Sequence, residues 1–223
     1  MNFDILVWSF LITLGIAVFT IPFLPTKMKS ITAFFLVLIL AIASSIPSIN
    51  VLTYSPIEGV FYGGFVFGNI PLRIDSLSAW FILMVNFTCV NGAIYGIGYM
   101  KSYSEQKTNI TLHWIIYVLL HAAIISVCII QNGLAFLIAW EIMSISAFLL
   151  VIFEHNKPEI LKAGMNFLVQ AHLGVVFLSI GFMWVYFSEN SFDFVCIASF
   201  FTRHSPKLLF LIFFIGLPRI NMV

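Results

Sequence analysis

The feature that most constrains this chain is a series of long apolar segments. Six of them approach the length of roughly 20 residues that a helix needs to cross a bilayer. They lie near residues 5–23, 31–46, 77–99, 113–130, 133–153 and 163–187, and a seventh begins near Leu208. In hydrocarbon each backbone N–H and C=O must be bonded within its own segment, so these segments are predicted to be helical. The sequence therefore predicts an all-α integral membrane protein with a bundle of about six to seven transmembrane helices.

The composition excludes a water-soluble protein and a nucleic-acid partner. Hydrophobic residues make up 61% of the 223 residues, charged residues 9%, and the net charge is +1. Too little polar surface remains to face water, and no clustered basic patch is present that would bind phosphate backbones. The protein is therefore predicted to lie in lipid. The first apolar segment is predicted to be a membrane helix that is retained, and not a signal peptide that is removed.

Lysine and arginine positions predict the orientation in the membrane. Positively charged residues in short loops favour the cytoplasmic side. One set of loops holds six lysines and the other set three basic residues, which predicts an external N-terminus in the inner (cytoplasmic) membrane. The six are Lys27, Lys29, Lys101, Lys107, Lys157 and Lys162, and the three are Arg73, Arg203 and Lys207.

Three regions are predicted along the chain. Residues 1–70 hold the N-terminal helices and an outer loop, in which residues 60–66 are predicted to be a loop or interfacial hairpin. Residues 71–187 hold helices three to six. Residues 188–223 hold a loop with an apolar patch typical of an interfacial helix, followed by the start of a seventh, broken helix.

Glu141 is the strongest candidate for chemistry, because it lies near the middle of the fifth apolar segment. A carboxylate at that depth costs a few kcal/mol and is predicted to face the protein interior, where it can gain and lose a proton. The alternative is a structural glutamate that is hydrogen-bonded to a neighbouring helix.

The sixth segment carries a polar stripe at four-residue spacing, formed by Lys162, Asn166, Gln170 and Gly174. Such spacing places the residues on one face of a helix. This face is predicted either to pass protons toward Glu141 or to make ordinary hydrogen bonds between helices. His172 lies on a different face of the same helix and is a relay candidate or a satisfied core histidine.

His121 is the better candidate of two histidines in the fourth segment. It follows His113 and Tyr117 at four-residue spacing, and histidine titrates near neutral pH. His113 is expected to be solvated at the membrane edge. Asn86 and the glycines after it in the third segment are predicted to serve helix packing, and Asp75 is predicted to begin that helix next to Arg73.

Motifs of soluble enzymes do not occur in the sequence. We found no phosphate loop, catalytic triad or metal-binding spacing, and the three cysteines are scattered. No catalytic residue, cofactor or metal is therefore predicted.

Three stretches resemble the N-terminal half of the antiporter-like proton-translocating subunits of complex I, hydrogenase 4, formate hydrogenlyase and multisubunit cation antiporters. They are PLRIDSLSAWFILMVNFTCVNGAIYGIGYM at 71–100, NGLAFLIAWEIMSISAFLLVIFEH at 132–155 and LKAGMNFLVQAHLGVVFLSIGF at 161–182. The Trp140–Glu141 pair is their most specific element, and the FEH ending is most similar to hydrogenase 4 component B.

The resemblance implies that Glu141 matches the glutamate of the family's fifth helix, which pairs with a lysine on a broken seventh helix. This sequence departs from the family there, because Ile220 stands near the lysine position and Arg219 beside it. An arginine rarely gives up its proton. The chain is thus expected to be truncated before the second half of the family fold, as a fragment or split product.

The leading hypothesis is a proton-translocating subunit, or its N-terminal fragment, of a hydrogenase 4, formate hydrogenlyase or NADH-quinone oxidoreductase-like complex. It would work with other membrane and redox subunits and hold no redox centre of its own. Its predicted relay residues are Glu141, His121, Lys162, Gln170 and His172. The alternatives are a cation/proton antiporter subunit and a non-transporting scaffold fragment.

Overall fold

The protein is a bundle of long helices with one small β-hairpin. A computed structural model describes residues 3–64, 68–103, 107–154, 156–203 and 206–216. The helices are α1 (Phe3–Thr20), α2 (Thr26–Thr53), α3 (Ser76–Tyr99), α4 (Lys107–Ile129), α5 (Gly133–Val151), α6 (Pro158–Glu189), α7 (Phe194–Arg203) and α8 (Pro206–Gly216). Short 3₁₀ turns extend α1, α3 and α5 at Ile21–Phe23, Met100–Tyr103 and Ile152–Glu154.

Among the described residues, six helices, α1 to α6, are long and apolar enough to span a membrane. This confirms the predicted all-α membrane bundle. The largest difference in bounds is at α2, which begins at Thr26 and continues past Pro47 to Thr53, whereas the apolar segment covers only residues 31–46. The apolar pattern misses the first turn, with Lys27 and Lys29, because lysine is a good helix former whose charge lies at the membrane edge.

The hairpin joins α2 to α3. Strands β1 (Ile57–Tyr62) and β2 (Asn69–Ile74) pair antiparallel, with Ile57 opposite Ile74. Gly59 of β1 lies against the ring of Phe3, where a β-carbon would clash. A hairpin, one of the two predicted alternatives for residues 60–66, is thus present, while the part of that prediction that falls on Phe65 and Val66 lies outside the described residues.

Local sequence signals mark the helix starts. The Asp75 carboxylate accepts a hydrogen bond from the backbone N–H of Ser78 at 2.8 Å and so caps α3, as predicted. Asn132 caps α5 in the same way. Helix α6 starts with Pro158, which suits a first turn, and ends at Asn190 in the left-handed conformation (φ 55°).

The main apolar core lies between α1, α2, α3, α4 and the hairpin. Helix α2 packs along α3 and α4, α5 packs against α4 and α6, and α8 packs on α6. The buried side chains of this core include Leu6, Val37, Ile82, Trp114 and Ile125. Helices α5 and α6 contribute no buried residue to this core, and both carry exposed apolar side chains such as Ile142 and Val169, so part of the surface of each is uncovered in the described part of the chain.

The C-terminal region contains two short helices, and the interfacial position of the first one stays a prediction. Helix α7 is amphipathic, and its Phe200 is fully buried against Val185 of α6 and Leu209 of α8. Residues 217–223, on which the predictions for Pro218 and Arg219 fall, lie outside the described residues.

Candidate functional site

Glu141 and His172 face each other across the contact between α5 and α6. The Oε2 atom of Glu141 lies 3.5 Å from Nε2 of His172. The side chain of Glu141 is 29% exposed and that of His172 is 48% exposed. Both residues lie near the middle of their helices, far from the ends that meet water. The sequence identified each residue separately, but it gave no indication that they form a pair.

The other ring nitrogen of His172 constrains the chemistry of this pair. Nδ1 lies 2.9 Å from the carbonyl oxygen of Leu168, one turn earlier on α6. A carbonyl oxygen only accepts, so Nδ1 carries the proton in this geometry. A neutral His172 then presents a lone pair at Nε2 to the Glu141 carboxyl. Two acceptors at this separation repel each other unless one of them holds a proton.

The pair can therefore exist in two favourable forms. In one, a protonated Glu141 faces the neutral imidazole, and in the other a carboxylate faces an imidazolium. At 3.5 Å the two atoms are slightly farther apart than in a normal hydrogen bond, so a small approach is enough to transfer the proton. A group that can hold one proton on either of two atoms is suited to proton relay.

The polar stripe on α6 lies mostly on the outer surface of that helix. Lys162 and Asn166 are exposed, Gln170 is half-buried and Gly174 is buried. Lys162 is close enough to the start of α6 to reach water, whereas an exposed amide at the depth of Asn166 is unfavourable against lipid. Whether Lys162 and Gln170 conduct protons to Glu141 stays a prediction.

His121 belongs to a second polar cluster, which lies in the main core. Its side chain is fully buried, and Nε2 lies 2.9 Å from Oδ1 of Asn86 on α3. The Asn86 amide nitrogen donates to three oxygens of α2, those of the Ala41 carbonyl and the Ser44 and Ser45 hydroxyls, at 2.9–3.1 Å. Because that nitrogen is the donor, Oδ1 must accept from Nε2–H of His121.

This assignment leaves Nδ1 of His121 as a buried acceptor with no partner among the described residues. The described partners of His121 and Asn86 lie on α2, α3 and α4, whereas Glu141 meets α6. The structure therefore places two predicted relay residues, Glu141 and His121, in separate polar clusters. The prediction that Asn86 serves helix packing agrees with its bonds to α2.

Two further arrangements could not be found from the sequence. His113, which is expected to be solvated, is half-buried, and its ring packs against Trp114, Tyr117 and Phe153. At the same end of the bundle, Tyr103 donates a hydrogen bond to Glu154 at 2.8 Å, and Glu154 also accepts one from Lys157 at 2.8 Å. The Glu154 carboxylate raises the pKa of Lys157 above its ordinary value, because it stabilises the ammonium form.

The opposite end of α5 is fixed by its N-cap. Asn132 accepts hydrogen bonds from the backbone N–H groups of Leu134 and Ala135 and donates one to the Asp193 carboxylate at 2.8 Å. The adjoining Gln131 donates its N–H to the Pro71 carbonyl of the hairpin at 2.9 Å. These bonds hold the start of α5, and so the position of Glu141, against β2 and the loop before α7.

Six apolar helices with a polar pair between two of them define a polytopic α-helical membrane protein with ionisable groups inside the bilayer. Two family descriptions match the sequence. Residues 65–108 match "NADH-Ubiquinone oxidoreductase (complex I), chain 5 N-terminus", and residues 130–218 match "NADH:quinone oxidoreductase/Mrp antiporter, TM". The two segments together make up more than half of the chain. The protein belongs to the antiporter-like membrane subunits of this type, as the sequence predicted.

Named relatives agree with this family. The chain is 33% identical to Hydrogenase-4 component B of Escherichia coli K12 over 156 residues, which cover 68% of this chain and 22% of that protein. It is 25% identical over 118 residues to the putative antiporter subunit mnhA2 of Staphylococcus aureus MRSA252, covering 53% of this chain and 14% of that protein. The chain thus spans about a fifth or less of the length of these relatives.

A solved structure shows the same fold. The match is to the membrane-bound sulfane sulfur reductase, an archaeal respiratory membrane complex, with a TM-score of 0.69 and 18% identity. It covers 97% of this chain and 42% of the matched chain. At this identity the likeness concerns the fold alone.

Proposed function

We propose that this chain forms part of a proton-translocating membrane subunit in which the Glu141–His172 pair passes protons inside the bilayer. The single observation that carries the proposal is the pairing itself. Nδ1 of His172 is hydrogen-bonded to the Leu168 carbonyl and Nε2 lies 3.5 Å from Oε2 of Glu141, which supports a proton shared between the two groups. Such a proton can move without either group leaving its helix.

The polar residues on the uncovered sides of α5 and α6 support a multisubunit setting. Glu141, His172 and Asn166 would face lipid if nothing else covered them, which is energetically unfavourable. Further membrane helices are the proposed cover. The similarity to Hydrogenase-4 component B supports a redox complex of the hydrogenase or quinone-reductase type, with the lysine-rich end at the cytoplasmic face of the inner membrane. In this proposal Lys162, Gln170 and His121 are secondary members of the relay.

Infrared spectroscopy tests proton sharing directly. In wild-type protein in vesicles, a protonated carboxyl C=O band is expected that disappears in E141Q. In H172Q the frequency of the same band is expected to shift, because the partner of the carboxyl proton is gone. The exposed Glu159, at the start of α6, provides the matched control, and E159Q should leave the band unchanged. A band that is the same in wild-type protein, E141Q and H172Q would contradict the proposal.

Transport is tested separately in everted membrane vesicles from cells that carry the whole gene and its neighbouring genes. Formation of a pH gradient is expected to require an electron donor and to be lost in E141Q, while the subunit remains in the membrane at wild-type level. A pH gradient of normal size in E141Q would show that Glu141 does not carry the proton.

A second candidate function is cation/proton antiport, which the similarity to the Staphylococcus antiporter subunit favours. The two functions differ in what Na⁺ does. In everted vesicles energised by another route, added Na⁺ collapses the pH gradient only when an antiporter is present. If the collapse of the pH gradient by Na⁺ requires this gene, antiport is the better assignment than redox-driven pumping.

A further inference from the structure

Lys29 is a buried cation whose described partner is neutral. The residue is 6% exposed, and its ammonium donates a hydrogen bond to the Thr111 hydroxyl of α4. The ion pairs found among the described residues do not include Lys29. A buried ammonium is costly without an anion, because a hydroxyl replaces only part of the lost hydration.

The ammonium lies at the wall of a cavity of about 830 Å³. The cavity lies between the Pro22–Pro25 turn, the first turn of α2 and the start of α4. Its polar lining includes Thr26, Lys29 and Thr111, and its apolar lining includes Phe23, Leu112 and Ile115. Phe23 and Leu112 are also exposed on the outer surface, at 87% and 52%. The cavity therefore combines a cationic part with an apolar wall that continues onto the lipid-facing side.

The first turn of α2 adds positive potential to the same place. Its N-cap is Pro25, which provides no side-chain hydrogen bond to the first turn. The partial positive charge of a helix start therefore faces the cavity at Thr26. A neighbouring cavity of about 470 Å³ also includes Thr26 and is lined by Lys27 and Lys101, so this end of the bundle is cationic on both sides of α2.

We propose that this cavity binds an anionic phospholipid, with the headgroup phosphate paired to Lys29 and an acyl chain lying along Phe23, Leu112 and Ile115. The depth suits this ligand, because the ends of membrane helices lie at the level of the lipid phosphates. The apolar wall distinguishes a lipid from free phosphate, which would gain nothing from it. This inference does not depend on the proposed proton relay.

The test is thermal unfolding of the purified chain in neutral detergent with added lipid. Phosphatidylglycerol is expected to raise the unfolding midpoint by about 3 °C over phosphatidylcholine at the same mole fraction. K29Q is expected to lose most of this difference. K27Q is the matched control, because Lys27 lies two residues before Lys29 on α2 and is exposed. This variant should keep the difference between the two lipids. Inorganic phosphate is expected to have no effect.

Two outcomes would overturn the proposal. The first is an equal phosphatidylglycerol effect in wild-type protein and K29Q. The second is the same stabilisation by inorganic phosphate, which would assign the cavity to a free anion.

Native mass spectrometry of the wild-type protein covers the case in which K29Q does not fold. At least one phosphatidylglycerol is expected to remain bound after detergent removal when phosphatidylcholine has dissociated. K29R, which keeps the charge, should retain it as well. Loss of both lipids at the same collision energy would contradict the proposal without any need for K29Q.

Discussion

Asn132 and Asp193 are hydrogen-bonded at 2.8 Å, which ties the start of the helix that carries Glu141 to the loop before α7. The same Asn132 side chain caps α5 through its oxygen. One residue therefore serves a local function, at the helix end, and a long-range function, between two loops. The consequences of this double role can be measured.

Replacing Asn132 by alanine is expected to destabilise the protein by about 1–2 kcal/mol, because the cap and the bond to Asp193 are both lost. Asparagine-to-aspartate at the same position separates the two roles. N132D keeps an oxygen for the cap but brings a second carboxylate against Asp193. Thermal unfolding in detergent should rank the wild type first, and N132A with a stability equal to the wild type would contradict the assigned role.

Asn86 is expected to be the more sensitive of two asparagines on α3. N86A removes the donor to three oxygens of α2 and leaves His121 without its acceptor, which should cost about 1–3 kcal/mol. Asn91 is exposed and bonds only its own helix, at the Phe87 carbonyl, in the described contacts. N91A is therefore the control, with an expected change below about 0.5 kcal/mol. Equal losses in the two variants would count against the cluster.

Two glycines of α3 should respond in opposite directions to alanine. A β-carbon at Gly96 would lie 2.8 Å from a ring carbon of buried Trp114, whereas one at Gly98 meets nothing within 4 Å. G96A is expected to be destabilising by about 1–3 kcal/mol through overpacking. G98A should be neutral or stabilising by up to about 1 kcal/mol, because alanine favours the helix. The sign of the difference in unfolding midpoint checks the close approach of α3 and α4.

Asp75 gives the protein a predictable response to acid. The hydrogen bond from the Ser78 backbone N–H lowers the pKa of this carboxyl below its ordinary value; partial burial opposes the shift, and Arg73 contributes to it. A lowered folded-state pKa means that the stabilising contribution is complete above the unfolded value of about 4. It is lost as the pH falls through the lower, folded value.

The D75N variant isolates this effect, since asparagine caps a helix about as well as aspartate but does not titrate. The difference in unfolding midpoint between wild type and D75N is expected to be constant above about pH 5 and to shrink in more acidic solution. A difference that grows as the pH falls would mean that the sign of the pKa shift is wrong.

Much of the fold could be predicted because its signals are local. The number of spanning helices follows from apolar length, and the cap at Asp75 follows from residue type. The bounds of α2 were less accurate, because Lys27 and Lys29 continue the helix beyond the apolar segment. For residues 60–66, the sequence leaves two alternatives, a loop and a hairpin, and it does not distinguish between them.

The candidate site was predictable only as a set of separate residues. Glu141 was identified by the cost of a carboxylate in an apolar segment, and His172 by its chemistry alone. Their contact was not predictable, because α5 is apolar on nearly every side and so carries no periodic signal that tells which face meets which neighbour. The polar stripe of α6 lies on a different face from His172 and does not indicate the contact either. The burial of Lys29 against Thr111 could not be predicted either, because the sequence does not show which face of α2 meets α4.

The sequence by itself thus determined that this protein lies in lipid, how many helices span it and which residues are able to hold a proton. Each of these depends on the composition or chemistry of a short segment. Only the tertiary structure decided that Glu141 pairs with His172, that His121 pairs with Asn86 and that Lys29 is enclosed. Those outcomes depend on how each helix is rotated about its axis, and that rotation is set by side-chain packing between segments far apart in the chain.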